Sequence, residues 1–135
     1  MKHEIDISTF LYLMVIVIIY FLGTSMGMTQ EFVNTDNFEK SIAKDIVAIE
    51  FWAEWNAANQ FNELDKLKDC MVYRVDISDS MEIQMEYDVS AIPTLIVFEN
   101  GTEQARFLPN IMFKLEADKK LVQHSVDTLI LNKFQ

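Results

Sequence analysis

Cysteine is almost absent from this chain, with Cys70 the only one among 135 residues. No intramolecular disulfide can form, and a single thiol says nothing about whether the surroundings are oxidising. Basic residues are scarce as well. Lys and Arg number 11 against 21 Asp and Glu, a formal net charge of -10. No basic cluster interrupts that balance, which excludes a phosphate-gathering surface and with it nucleic acid as a primary ligand. The two histidines, His3 and His124, lie at opposite ends of the chain without ligand-type spacing to Cys70. No metal site and no cofactor are therefore expected. Internal repeats, low-complexity tracts and a second globular domain are likewise missing.

Hydrophobic residues, by contrast, make up 50% of the sequence, enough for one domain with a real core. They are unevenly spread. Phe10 to Leu22 is an unbroken apolar run, and Gly23 to Met28 extends it without a charge. The whole approaches the roughly 20 residues a helix needs to cross a bilayer. The run alone has the length of a signal peptide, and Ser25-Met26-Gly27 offers small residues for cleavage, but Glu4 and Asp6 offset Lys2 ahead of it. Residues 1–28 are read as a signal-anchor, with a cleaved signal peptide or a buried helix as alternatives. The flank Thr29-Gln30-Glu31 has no base, which favours a single-pass protein whose domain is lumenal or extracytoplasmic. Cleavage would instead release it as a soluble lumenal or secreted protein.

From residue 30 to 135 strand-like and helix-like segments alternate. A short helix is expected around Asn37 to Ala43 after Asn34-Thr35-Asp36, then strands at Ile46–Trp52 and Met71–Ile77. Between those strands, Phe61, Leu64 and Leu67 suggest a helix over Ala57–Lys68. A helix over Asp79–Tyr87 precedes a strand at Thr94–Glu99, and the Asn100-Gly101 turn leads into Thr102–Phe107. The closing helix is expected over Leu115–Leu131, burying Leu121, Val122, Val126, Leu129 and Ile130. This order implies an α/β fold, a central mixed sheet with flanking helices, preceded by one N-terminal hydrophobic helix.

Two fragments of this pattern resemble the thioredoxin family. Ile49 to Asn59, IEFWAEWNAAN, is similar to the strand-to-helix active-site segment, where a phrase of the FWAEWCGPC type is typical. Ala91 to Gly101, AIPTLIVFENG, is similar to the cis-proline loop with its strand and hairpin. The resemblance implies a thioredoxin-like fold and a cis Ile92–Pro93 bond. It also implies that Asn56 and Asn59 stand where the family has its two cysteines. An amide can neither attack a disulfide nor resolve one, so a non-enzyme without dithiol chemistry is expected. The helix after this segment also reads about two turns shorter than is usual in the family.

Asn56 reads either as the N-cap of a helix beginning at Ala57 or as a ligand contact. Glu50 aligns with the family's buried acid and reads as a structural carboxylate that must pair, face water or become neutral. Cys70 reads as a small buried hydrophobe. Asn100-Gly101-Thr102 is a turn and also a glycosylation sequon, relevant only if the domain enters a secretory lumen.

The resemblance implies a groove that outlasts the loss of the cysteines. Ile92 and Pro93 would pair with an extended polypeptide, with Trp52, Trp55, Asn56 and Ala57 lining the wall. A membrane-tethered protein that binds polypeptide clients, as folding assistant or assembly adaptor, is the first expectation. The alternatives are a thiol-dependent oxidoreductase using Cys70, and a structural subunit of a membrane complex.

Overall fold

A computed structural model describes residues 6–9, 12, 14–16 and 31–135. Residues 7–9, 12 and 14–16 are helical and exposed. Most of the apolar run, and the whole of its extension to Met28, lie outside the described residues. Among those described, no helix is long and apolar enough to cross a membrane.

The remainder folds around a five-stranded sheet of order β1-β3-β2-β4-β5. Its strands are β1 (Phe32–Val33), β2 (Ile46–Trp52), β3 (Met71–Asp76), β4 (Thr94–Glu99) and β5 (Thr102–Phe107). β1, β3 and β2 run parallel, while β4 and β5 are antiparallel to their neighbours. Burial on both faces explains why β2 is apolar almost throughout rather than alternating. Val47, Ile49 and Phe51 enter one core with α1 (Phe38–Ile42) and α2 (Met81–Glu86). Ile46 and Ala48 enter the other, under α3 (Lys119–Asn132).

The β4–β5 turn follows the expected two-residue pattern. Asn100 and Gly101 have φ of 49° and 83°, and Glu99 pairs with Thr102 across them. α3 begins at Lys119, four residues later than its hydrophobic pattern suggests. Asp118 is the reason, since its carboxylate accepts the Leu121 N–H at 2.9 Å as an N-cap. Val122, Val126 and Leu129 face the sheet, whereas Leu121 is exposed.

The largest departure from expectation lies between β2 and β3. No continuous helix covers Ala57–Lys68; two 3₁₀ segments, Glu54–Asn59 and Leu64–Lys66, stand there instead. Phe61, Leu64 and Leu67 repeat every three residues, which fits the 3.0-residue turn of a 3₁₀ helix better than the 3.6 of an α-helix. Their amides follow suit, with Leu64 N–H donating to Phe61 O and Leu67 N–H to Leu64 O, each at 3.2 Å.

A buried ion pair fixes this segment to the sheet. Glu50 and Arg74 are directly opposed in the β2–β3 register and face the second core. Arg74 donates to the Glu50 carboxylate through Nε at 2.8 Å, with a second guanidinium nitrogen at 2.7 Å. The other Glu50 oxygen accepts the Phe61 N–H at 2.6 Å, and Arg74 reaches the Phe61 carbonyl at 3.5 Å. The Phe61 backbone is thus held from the sheet at both its polar groups, which diverts it from an α-helical ladder. Burial pushes the Glu50 carboxyl above its ordinary range, while Arg74 and the Phe61 N–H pull against that rise. Glu50 therefore has its pairing partner, the first of the outcomes open to a carboxylate inside a strand.

Candidate functional site at the carboxyl end of the sheet

β2 delivers Trp52 to the carboxyl end of the sheet, and the first 3₁₀ segment turns the chain back across it. The cis Ile92–Pro93 bond brings the loop before β4 to the same place. Asn56 links the two. It is buried, and its side-chain amide donates to the Phe113 carbonyl at 3.0 Å and, at the longer distance of 3.4 Å, to the Ile92 carbonyl. Its own carbonyl accepts from the Asn59 amide at 2.8 Å.

Asn56 is consequently not an N-cap. No helix starts at Ala57, the residue in the N-cap position is Ala53, and Asn56 has a non-helical φ of -113° within the 3₁₀ segment. Its amide serves as a cross-brace, which accounts for a polar side chain lying almost wholly buried. Asn56 and Ile92 are in direct contact. Ile92 and Pro93 are buried and Ala57 is half-buried. Trp55 is 66% exposed and meets the Phe113 ring edge-on, centroids 5.7 Å apart. Trp52 turns elsewhere, its ring against Phe32 of β1 at 5.7 Å, and its indole N–H has no acceptor among the described residues.

Phe113 belongs to a feature absent from the sequence expectations, a small hairpin between β5 and α3. Pro109 and Leu115 bridge at its base. Asn110 closes the tip, its side-chain oxygen accepting from the Met112 and Lys114 amides at 2.8 and 3.2 Å. Its mark in the sequence is Pro109-Asn110, a pair of turn-forming residues, followed by three apolar residues outside any helical or strand period.

The thioredoxin family model matches residues 29–112, a span that covers the whole sheet and all of this site except Phe113. The chain belongs to the thioredoxin family. The thioredoxin of Chlamydia pneumoniae is 30% identical over 96 residues, covering 61% of this chain and 94% of that protein. That of Mycoplasma genitalium is 33% identical over 76 residues, 50% of this chain and 74% of its own. A solved mutant thioredoxin from Halobacterium salinarum superposes with a TM-score of 0.61 at 17% identity, over 74% of this chain and 88% of that one, which is a likeness of fold.

Within this thioredoxin-family chain the one thiol lies far from the site. Cys70 immediately precedes β3, whose far end, Asp76, pairs with Trp52; at about 3.3 Å per residue the separation is roughly 20 Å. Cys70 is half-buried against the second core. Burial first, then the nearby carboxylates of Asp69 and Asp127, push its pKa up to about 11 from 9.0. Neutral pH therefore leaves about 100-fold less thiolate than on an unperturbed cysteine. Iodoacetamide should alkylate the folded chain roughly 10-fold or more slower than the urea-unfolded chain at neutral pH, the smaller thiolate fraction outweighing the greater nucleophilicity of a more basic thiolate. Near-equal rates would mean that the packing around Cys70 is not as described.

Proposed function

We propose that this chain is a membrane-anchored member of the thioredoxin family without dithiol chemistry, which binds polypeptide segments at the cis-proline end of its sheet. Its role is that of a folding assistant or assembly adaptor. The observation that carries this reading is the hydrogen-bonded pair Asn56–Asn59 at the positions where the resemblance puts the family's cysteines. A buried amide bracing two loops has no redox capacity, while the exposed Trp55 beside it offers an aromatic anchor of the kind binding surfaces use.

The Ile92 edge is only partly available for pairing, because its carbonyl already takes the long Asn56 contact. Among the described residues its N–H meets no backbone acceptor, but Ile92 is buried, so a client strand would reach that N–H only by displacing the long Asn56 contact at the carbonyl. Anchoring by residues 1–28 would hold the site near membrane-associated clients at high effective concentration. The apolar run supports it, as does the start of the family match at residue 29, just beyond that run.

A photoreactive phenylalanine derivative at position 55 tests the binding role. Cross-linked polypeptide adducts are expected there, but not from the same probe at Thr102, which is exposed at the opposite end of the sheet. Equal yields from both positions, or none from either, would remove the binding role. Carbonate extraction tests the anchor: the full-length mass should stay in the membrane pellet. A soluble chain lacking its first 25 to 27 residues, as cleavage around Ser25-Met26-Gly27 would leave, would mean the segment is a signal peptide.

A further inference from the structure

Residues 75–105 carry seven Asp or Glu and no Lys or Arg, whereas the rest of the chain carries 14 acids and 11 bases, so 31 residues supply seven of the ten net negative charges. α2 stands in the middle of this segment. Of its six residues only Ile83 is buried. Met81 and Met85, one turn apart, are 64% and 72% exposed, with Glu82 and Glu86 exposed beside them. The solvent face of a helix is ordinarily polar; here two methionines at i and i+4 make an apolar strip of adaptable, polarisable side chains.

A groove runs beside the strip. Met81, Gln84, Met85, Asp88, Val89 and Ser90 line an open cleft of about 670 Å³. Its floor is fixed, because the Gln84 side-chain amide donates to the Val89 carbonyl at 3.0 Å and the Val89 N–H to the Gln84 carbonyl at 2.9 Å. The exposed carboxylates of Asp79, Glu82, Glu86 and Asp88 have no ion-pair partner among the described residues. Arg106 does not neutralise them. Its guanidinium donates to the Tyr87 and Asp88 carbonyls at 2.8 and 3.3 Å, but its charge is paired with Glu103. The negative field is felt at Tyr87, whose hydroxyl is pushed up to about 12 by burial first, then by Glu39, with smaller pushes from Glu86 and Glu103.

We propose that this groove continues the cis-proline site and takes the basic, apolar part of a bound polypeptide, with Lys or Arg side chains against Glu82, Glu86 and Asp88 and an apolar side chain at Met81 and Met85. The inference rests on the binding reading above. Unpaired carboxylates around an apolar strip repel an acidic segment and attract a basic one. Lys and Arg suit the methionines as well, since their aliphatic stems lie along apolar surface while the charged heads reach the carboxylates. Ser90, at the end of the groove, precedes Ile92 by two residues, roughly 7 Å of extended chain, so a segment paired at Ile92 reaches α2 within a few residues of its own.

The test titrates the full chain, in a neutral detergent, with two fluorescent peptides of the same length, one alternating Leu with Lys and the other Leu with Glu. Anisotropy should show the basic peptide binding at least about 10-fold more tightly than the acidic one. Glu82→Gln with Glu86→Gln should weaken the basic peptide about 5-fold, and Met81→Ser with Met85→Ser should weaken it too. Asp65→Asn with Glu116→Gln removes as much charge beside Leu64 and Ala117 of the second core, across the sheet, and should change it less than about 2-fold. Equal affinity for the two peptides, equal effects of the two acid pairs, or an unchanged affinity in the methionine variant would overturn the inference. Absence of binding by either peptide, in a chain that still gives adducts from position 55, would overturn it and leave the binding role standing. A chain that gives no adducts from position 55 would remove that role and this inference together.

Discussion

An Arg74→Met chain is expected to lose about 3–5 kcal/mol of stability at neutral pH, a large share of the roughly 5–15 kcal/mol available to a domain of this size. The loss comes from Glu50, which would remain fully buried as a carboxylate without its counter-charge. Its folded pKa, already raised by burial, would climb further once the opposing pull of Arg74 is gone. The sign follows from linkage. A carboxyl whose folded pKa lies above its unfolded value binds protons preferentially in the folded state. The penalty is therefore full above the folded pKa, shrinks as the pH falls through it, and is gone below the unfolded value of about 4.3. Urea unfolding of both chains from pH 7 downward checks this, because the gap between them should narrow towards acid. Glu50→Leu with Arg74→Met should cost less than Arg74→Met alone, about 1–3 kcal/mol, since only the Phe61 N–H is then orphaned. A pH-independent gap would mean that lost packing, rather than stranded charge, is responsible.

Replacing Asn56 and Asn59 together by cysteine should convert a chain that cannot form an intramolecular disulfide into one that forms it completely and reversibly. The two side chains already meet at 2.8 Å, and residues three apart in a 3₁₀ turn stand nearly above one another. That separation is within reach of a disulfide. The substitution also removes the amide bonds to the Ile92 and Phe113 carbonyls, so the hairpin between β5 and α3 should loosen, with faster amide exchange over residues 110–114. Thiol counting in oxidised and reduced glutathione, with Cys70→Ser as background, reads the first effect. A folded double variant that stays reduced under oxidising conditions would show that this turn does not have the described geometry.

Much of the fold is legible from the sequence because local signals and burial agree. β2 and β4 are short apolar runs buried on both faces, the Asn100-Gly101 pair dictates a tight hairpin, and Val122, Val126 and Leu129 share one helical stripe. The Ala57–Lys68 segment misleads because an apolar spacing of three fits either kind of helix. What decides between them is a long-range contact, the Glu50–Arg74 pair on the Phe61 backbone, which no local pattern encodes. Asn56 shows the same limit. Its N-cap propensity is real, but its amide is spent on carbonyls 36 and 57 positions along the chain. Asp118 works in the opposite direction, a local cap strong enough to set where α3 begins despite apolar residues on either side. The hairpin carrying Ile111 to Phe113 follows neither period. Its shape depends on one asparagine closing a turn, and its contact with Trp55 could be read only once the cis-proline loop and the 3₁₀ segment were in place.

The proposed absence of dithiol chemistry is open to one direct measurement, dithiothreitol-driven reduction of insulin by the full chain and by its Cys70→Ser variant. Both should proceed at the rate of the buffer control, because Asn56 and Asn59 carry no thiol and Cys70 is packed at the far end of the sheet with its pKa raised to about 11. Turnover by the unmodified chain that disappears in Cys70→Ser would contradict the account and make Cys70 the working thiol. Turnover that survives in Cys70→Ser, a chain with no cysteine at all, would contradict it more deeply still.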